Sequence, residues 1–212
     1  MIKIINLVLI SVLSMPIGLV QADSRESGES NSNLSIEQKA QAGSVFSDPE
    51  EFVSALFKKT VDFEEDFRER DNFLIQLGNY FDFPVMARFV LGRTVKKIDT
   101  AQLKEFIALF TESQVLSLLP SLKNIDSLKL IRKKSGKKNK TLLIFSYTGE
   151  NNKPIEIGIY VKEVSEGLFK IYDVRIEGIR MLMSWRSEFQ SLIRSKGFEG
   201  MMNDLRDKLE KN

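Results

Sequence analysis

The sequence predicts an α+β domain, with helices first, then a bent four-stranded antiparallel sheet, then helices again. Three observations predict it. Between residues 48 and 120, apolar residues recur at helical spacing behind capping residues. Between 127 and 177 the spacing changes to alternation, with turn residues separating short runs. From 181 onward the helical period returns.

The helices justify themselves in order. Asp48-Pro49-Glu50-Glu51 sets an acidic N-cap, a proline in the first turn and a glutamate three residues on, ahead of Phe52, Val53, Leu56 and Phe57. A second amphipathic stretch carries Phe67, Phe73, Leu74, Leu77 and Phe81. Asp82 caps a short helix with Met86, Phe89 and Val90, which Gly92 ends. Asp99-Thr100-Ala101-Gln102 opens a long helix through Leu103, Phe106, Ile107, Phe110, Val115, Leu118 and Leu119, and Pro120 closes it. Near the C-terminus, Trp185, Phe189, Leu192 and Ile193 share a face that stops at Gly197. A last helix carries Met201, Met202, Leu205 and Leu209.

Four strands lie between. Ser127 to Lys133 places Leu128 and Leu130 on one face, and Thr141 to Thr148 places Leu143, Phe145 and Tyr147 on one face. Ile155, Ile157, Ile159 and Val161 form the clearest alternation in the chain. In Leu168 to Glu177 the phase breaks. Phe169 and Ile171 share one parity, and Val174 and Ile176 the other, so a bulge near Tyr172-Asp173 is expected to bend the sheet. Every connection is short, as an antiparallel meander requires.

The chain before this domain reads differently. Residues 1–22 have Lys3 as a positive start, an apolar stretch from Ile4 to Val20 and a small-x-small site at Val20-Gln21-Ala22. That reads as a signal peptide cleaved after Ala22, so an exported chain is expected. The apolar run is too short and interrupted for the ~20 residues of a membrane span. Residues 23–46 are rich in Ser, Glu, Asn and Gln, a composition that cannot offset chain entropy, so a flexible leader is expected. Residues 47–212 form the folded domain.

Composition excludes several chemistries. There is no Cys, hence no disulfide, no thiol chemistry and no lipidated N-terminal cysteine. There is no His either, which removes nucleophile–His triads and ordinary zinc sites. No metal and no cofactor is expected. Net charge is +2 and falls to +1 once Lys3 leaves, too balanced to suggest nucleic acid. One basic cluster stands out: Arg132, Lys133, Lys134, Lys137, Lys138 and Lys140. It reads as a solvated hairpin tip or as a contact for anionic head groups or an acidic partner.

Asp62, Glu64, Glu65 and Asp66 share a stretch with Arg68 and Arg70 and read as a solvated face. Asp173 and Glu177 lie among apolar residues. Asp173 fits either an ion pair with Arg175, Arg180 or Arg186, or a general base of a cone-shaped isomerase; the ion pair is the simpler reading. Fifteen Phe and the methionines Met86, Met181, Met183, Met201 and Met202 suit either plain core or an adaptable pocket.

Two segments carry a resemblance. Phe81-Asp82-Phe83, Met86-Ala87-Arg88 and Leu91-Gly92-Arg93 form the first. Tyr172-Asp173-Val174, Glu177-Gly178, Arg186-Ser187-x-Phe189 and Gly197-x-x-Gly200 form the second. In order and spacing they resemble the MlaC family of periplasmic phospholipid-binding proteins, also called toluene-tolerance auxiliary proteins. The sequence departs from the family pattern at Thr94-Val95-Lys96 and Ser184-Trp185, where aromatic and Asn-Tyr residues are usual. It also lacks a tyrosine usual near residues 113–117.

The resemblance implies a cone-like, NTF2-like architecture whose sheet and helices surround an apolar cavity for acyl chains. It implies a non-enzymatic, monomeric carrier of phospholipid. Such a carrier passes lipid between an outer-membrane lipoprotein–porin complex and an inner-membrane ABC transporter with MCE-type subunits. A different apolar cargo such as a polycyclic isoprenoid, a cone-fold enzyme and a structural adaptor are the alternatives. The expected lining is Met86, Phe89, Phe106, Phe110, Leu143, Phe145, Ile157, Ile159, Val174, Ile176 and Met181. Arg88 and Arg93 are expected to lie near a head group or to satisfy Asp82, Asp173 or Glu177.

Overall fold

The computed structural model describes residues 45–62, 77–122, 128–148 and 153–210. The expectations for the signal peptide, for most of the leader, for Phe67, Phe73 and Leu74 and for the acidic run at 64–66 lie outside these residues. So do those for the side chains of Asp62, Leu118 and Leu119.

Helix α1 spans Pro49–Asp62. Its start is closed from two sides. Asp48 Oδ1 accepts from the Glu50 and Glu51 amides at 2.7 and 3.1 Å, and Glu51 Oε2 accepts from the Ser47 amide at 2.9 Å. Residues 77–80 are helical and lead, through a bridge from Phe81 to Ile171, into α2 at Phe83–Leu91. Asp82 caps α2 through the Val85 amide at 3.3 Å, and Gly92 ends it at φ +54°, as expected. A 3-10 turn over Gly92–Lys96 connects to α3, Thr100–Leu122. The capping box at its start is reciprocal: Gln102 N to Asp99 Oδ1 at 2.8 Å, Asp99 N to Gln102 Oε1 at 3.0 Å. Pro120 does not end this helix. The backbone stays helical through it to Leu122.

The sheet has five strands in the order β1-β2-β3-β4-β5, all antiparallel: Lys129–Ser135, Lys140–Thr148, Pro154–Ser165, Leu168–Ile176 and Ile179–Arg180. The sequence predicts four. The fifth strand follows a two-residue turn in which both Glu177 (φ 47°) and Gly178 (φ 85°) are left-handed, the conformation that tight hairpins favour. At two residues it is too short to show an alternation. The expected bulge is present: Tyr160 pairs with Asp173 and Val161 with Ile171, leaving Tyr172 as the extra residue. Two further irregularities leave Ile131 and Val164 without partners, and both side chains are exposed.

Helix α4 spans Met181–Glu210 with a break at Gly197, whose φ 73° and ψ 176° only glycine adopts readily. The predicted stop is therefore a kink between two helical halves. The core runs from Phe52, Val53 and Ile171 through Phe83, Met86 and Phe106 to Met201 and Leu205.

Candidate functional site

The inner face of the sheet is built in rungs. Leu143 pairs with Ile159 and Ile159 with Val174, while Phe145 pairs with Ile157 and Ile157 with Ile176. Six of the expected lining residues thus form two adjacent rungs, each about 10 Å across three strands. Leu130 extends the second rung onto β1, opposite Phe145. Tyr147 and Ile155 form a third rung. Burial fades along this face. Leu143 and Ile159 are closed off (0% and 3% exposed), whereas Val174, Ile176, Tyr147, Ile155 and Leu130 are half-buried. The fading runs toward the β2–β3 turn. Met181 is also half-buried, and the Phe57 ring lies 6.2 Å from that of Phe145.

The expected helix residues divide. Met86 is buried at 1% exposure on α2. Phe106 and Phe110 are fully buried, and their rings meet Phe189 at 5.5 and 5.8 Å, with Phe110 also 5.9 Å from Trp185. They join α3 to α4. Phe89 is 38% exposed on the outer side of α2, with the Arg186 guanidinium over its ring at 4.8 Å. Helical period groups Phe89 with Met86 and Val90 but does not say how the helix is rolled against its neighbours.

That roll is set by α4. Arg186 donates to the Phe89 carbonyl, and Gln190 Nε2 donates to the Val90 and Leu91 carbonyls at 3.0 and 2.7 Å. These are the carbonyls that a helix C-terminus leaves without intrahelical partners. A Cβ at Gly92 would come within 2.7 Å of Arg186. The Leu91-Gly92 and Arg186-x-x-Phe189 pieces of the motif are therefore one packing joint. Arg88 and Arg93 are exposed and make no ion pair among the described residues, so neither satisfies Asp82, Asp173 or Glu177.

Asp173 is fully buried. Its Oδ1 accepts from the Leu182 amide at 3.0 Å and the Val174 amide at 2.9 Å. Its Oδ2 accepts from Arg180 Nε at 2.6 Å. The bulge at Tyr172 aims this carboxylate at the first turn of α4, which it caps from β4. The ion-pair reading holds, with Arg180 as partner, and both oxygens are committed to it and to backbone amides. On the same side Arg180 covers the Tyr160 ring at 4.8 Å, and Tyr160 and Tyr172 lie 5.9 Å apart. Burial raises the Tyr172 hydroxyl's pKa, opposed by Arg180. Burial also lowers that of Lys170, which donates to the Gly78 and Asn79 carbonyls.

Sequence reasoning overlooks two buried polar residues on α3, Ser113 and Gln114, each 4% exposed. A cleft of about 370 Å3 opens elsewhere, between the start of α1 and the β1–β2 turn, walled by Asp48, Lys138, Lys140 and Glu163. None of the expected lining residues borders it. Among the described residues no carboxylate cluster could hold a metal, and no helix is long and apolar enough to cross a membrane.

The MlaC protein family matches residues 50–207. Among solved structures, the phospholipid-binding protein from Ralstonia solanacearum in complex with a phospholipid has a similar fold. The TM-score is 0.61 at 15% sequence identity, over 76% of this chain and 93% of that one. No curated protein sequence matches the chain. With the family's match running from the first turn of α1 almost to the end of α4, the chain belongs to the MlaC protein family.

Proposed function

We propose that this protein binds a phospholipid and carries it between membranes without making or breaking a bond. The observation that carries the reading is the run of apolar rungs whose burial fades toward the β2–β3 turn, in a fold shared with a phospholipid-bound structure. Acyl chains laid along this face would meet the apolar side chains of Phe145, Ile157 and Ile176. Each methylene taken from water contributes about 0.8 kcal/mol, so ten of them supply roughly 8 kcal/mol before the cost of association. A head group then stays near solvent. The export signal expected at 1–22 fits a periplasmic carrier, and membership of the MlaC family supports a role as the soluble member of an ABC-transporter system with an outer-membrane lipoprotein–porin complex.

The test is a titration of delipidated protein with a fluorescent phospholipid, repeated for Ile155→Glu and Ile176→Glu. Both positions are half-buried, so the variants keep the fold, which circular dichroism verifies. A carboxylate there costs about 2 kcal/mol against an acyl chain, so affinity falls more than tenfold. Unchanged affinity in both variants contradicts the assignment of this face.

A further inference from the structure

We propose that the β1–β2 hairpin is an electrostatic docking surface for an anionic lipid bilayer. This concerns a different surface from the apolar rungs and does not depend on the identity of the cargo. Residues 129–140 carry Lys129, Arg132, Lys133, Lys134, Lys137, Lys138 and Lys140 and no acidic residue. Every residue from 131 to 140 is exposed. The turn is tight, with Lys138 and Asn139 both left-handed, and the Asn139 carbonyl accepts from the Glu163 amide at 2.9 Å, which fixes the exposed tip beside β3. Two acids lie beside it, Asp48 at 4.0 Å from Lys133 and Glu163 in the cleft wall with Lys138 and Lys140, and against seven cations they leave the hairpin positive.

Strand pairing adds one more cation beside the tip: Lys140 pairs with Lys162, which is exposed. Farther along the outer face Arg175 and Arg180 are each matched by an acid, Glu156 at 2.7 Å and Asp173 at 2.6 Å, so the unmatched positive charge is concentrated at the hairpin. Ile131, 54% exposed at its irregularity in β1, adds an apolar side chain among the cations.

The chemistry favours a bilayer over a folded acidic protein. Six of the seven cations are lysines, flexible point charges suited to a fluid array of head groups. Protein interfaces are depleted in lysine and need a packed apolar anchor, which the exposed hairpin does not offer. The hairpin lies at the opposite end of β2 from Tyr147, so a bilayer held there leaves the open end of the rungs free.

The test is co-sedimentation of the protein with phosphatidylcholine vesicles, with and without phosphatidylglycerol. Each lysine near an anionic surface strengthens binding about fivefold. The expected result is binding to the anionic vesicles only, released in about 1 M salt, where the screening length shrinks to about 3 Å. Combined Lys133→Gln, Lys134→Gln, Lys137→Gln and Lys138→Gln substitutions weaken it several hundredfold, by roughly four such factors. Lys96→Gln, Lys97→Gln, Lys104→Gln and Lys208→Gln, four exposed lysines elsewhere, leave it unchanged. The proposal is overturned by no binding to anionic vesicles at low salt, by equal binding to both vesicle types, or by full binding of the hairpin variant. Capture of an acidic protein through the hairpin without vesicle binding also overturns it, in favour of a protein partner. A hairpin variant that self-associates but keeps full vesicle binding overturns it in favour of edge-strand protection.

Discussion

Replacing Asp173 tests how the sheet is fastened to the helical layer. In Asp173→Ala the Leu182 amide, now 3.0 Å from a carboxylate oxygen, is left buried without an acceptor, a loss of about 1–3 kcal/mol. The Val174 amide loses its partner at 2.9 Å as well. Arg180 contributes less, because its side chain is 43% exposed and its guanidinium returns to water, so the ion pair is discounted to about 1 kcal/mol or below. The total is about 3–4 kcal/mol. Asp173→Asn keeps an acceptor oxygen for the two amides but loses the charge and turns an amide donor toward Arg180, for about 1–2 kcal/mol. Equilibrium urea unfolding measures both, with unchanged slopes showing that the native fold persists. If the alanine variant unfolds within 1 kcal/mol of wild type, or the asparagine variant is as costly as alanine, Asp173 is not the fastening this reasoning makes it.

Other perturbations follow from the same geometry. Gly197→Ala meets no atom within 4 Å, so its cost is backbone strain alone, about 1–3 kcal/mol in thermal or urea unfolding. Asp99→Ala removes one half of the α3 capping box and costs about 1 kcal/mol, while Asp99→Asn costs a few tenths, by the same measurement. The Asp48 carboxyl is held below its ordinary range chiefly by the Glu51 amide. Its folded pKa is depressed, so its stabilisation is present above the ordinary value of 3.8 and is lost as pH falls through the lowered one. Acid unfolding of Asp48→Asn therefore lacks that share of the pH dependence, and an acid limb identical to wild type would contradict the assignment.

Much of this architecture is legible in local chemistry. The parity break between Ile171 and Val174 marks the bulge, because a strand cannot keep one face buried across it without an extra residue. Asp99 and Gln102 mark a helix start because they satisfy each other's amides. The two rungs are legible because alternation on β2, β3 and β4 needs no knowledge of the partner element. The helix residues are not legible in the same way. Period places Phe106 and Phe110 on one stripe but cannot say whether that stripe meets the sheet or α4. Only the cross-helix contacts of Arg186 and Gln190 decide that Phe89 turns outward. Ile144 shows the converse. Its parity points away from the rungs, yet it is 5% exposed in a row between Arg132 and Gly158. There the Arg175 and Leu142 side chains approach so closely that a Cβ on Gly158 would meet them at 3.1 and 3.2 Å.

The central claim is that the apolar rungs hold a lipid. Mass spectrometry of the protein purified from cells under native conditions, before and after organic extraction, tests it most directly. The account predicts one phospholipid per chain, lost on extraction and restored on incubation with phospholipid vesicles. A protein that emerges with no bound lipid and takes up none from vesicles would contradict it.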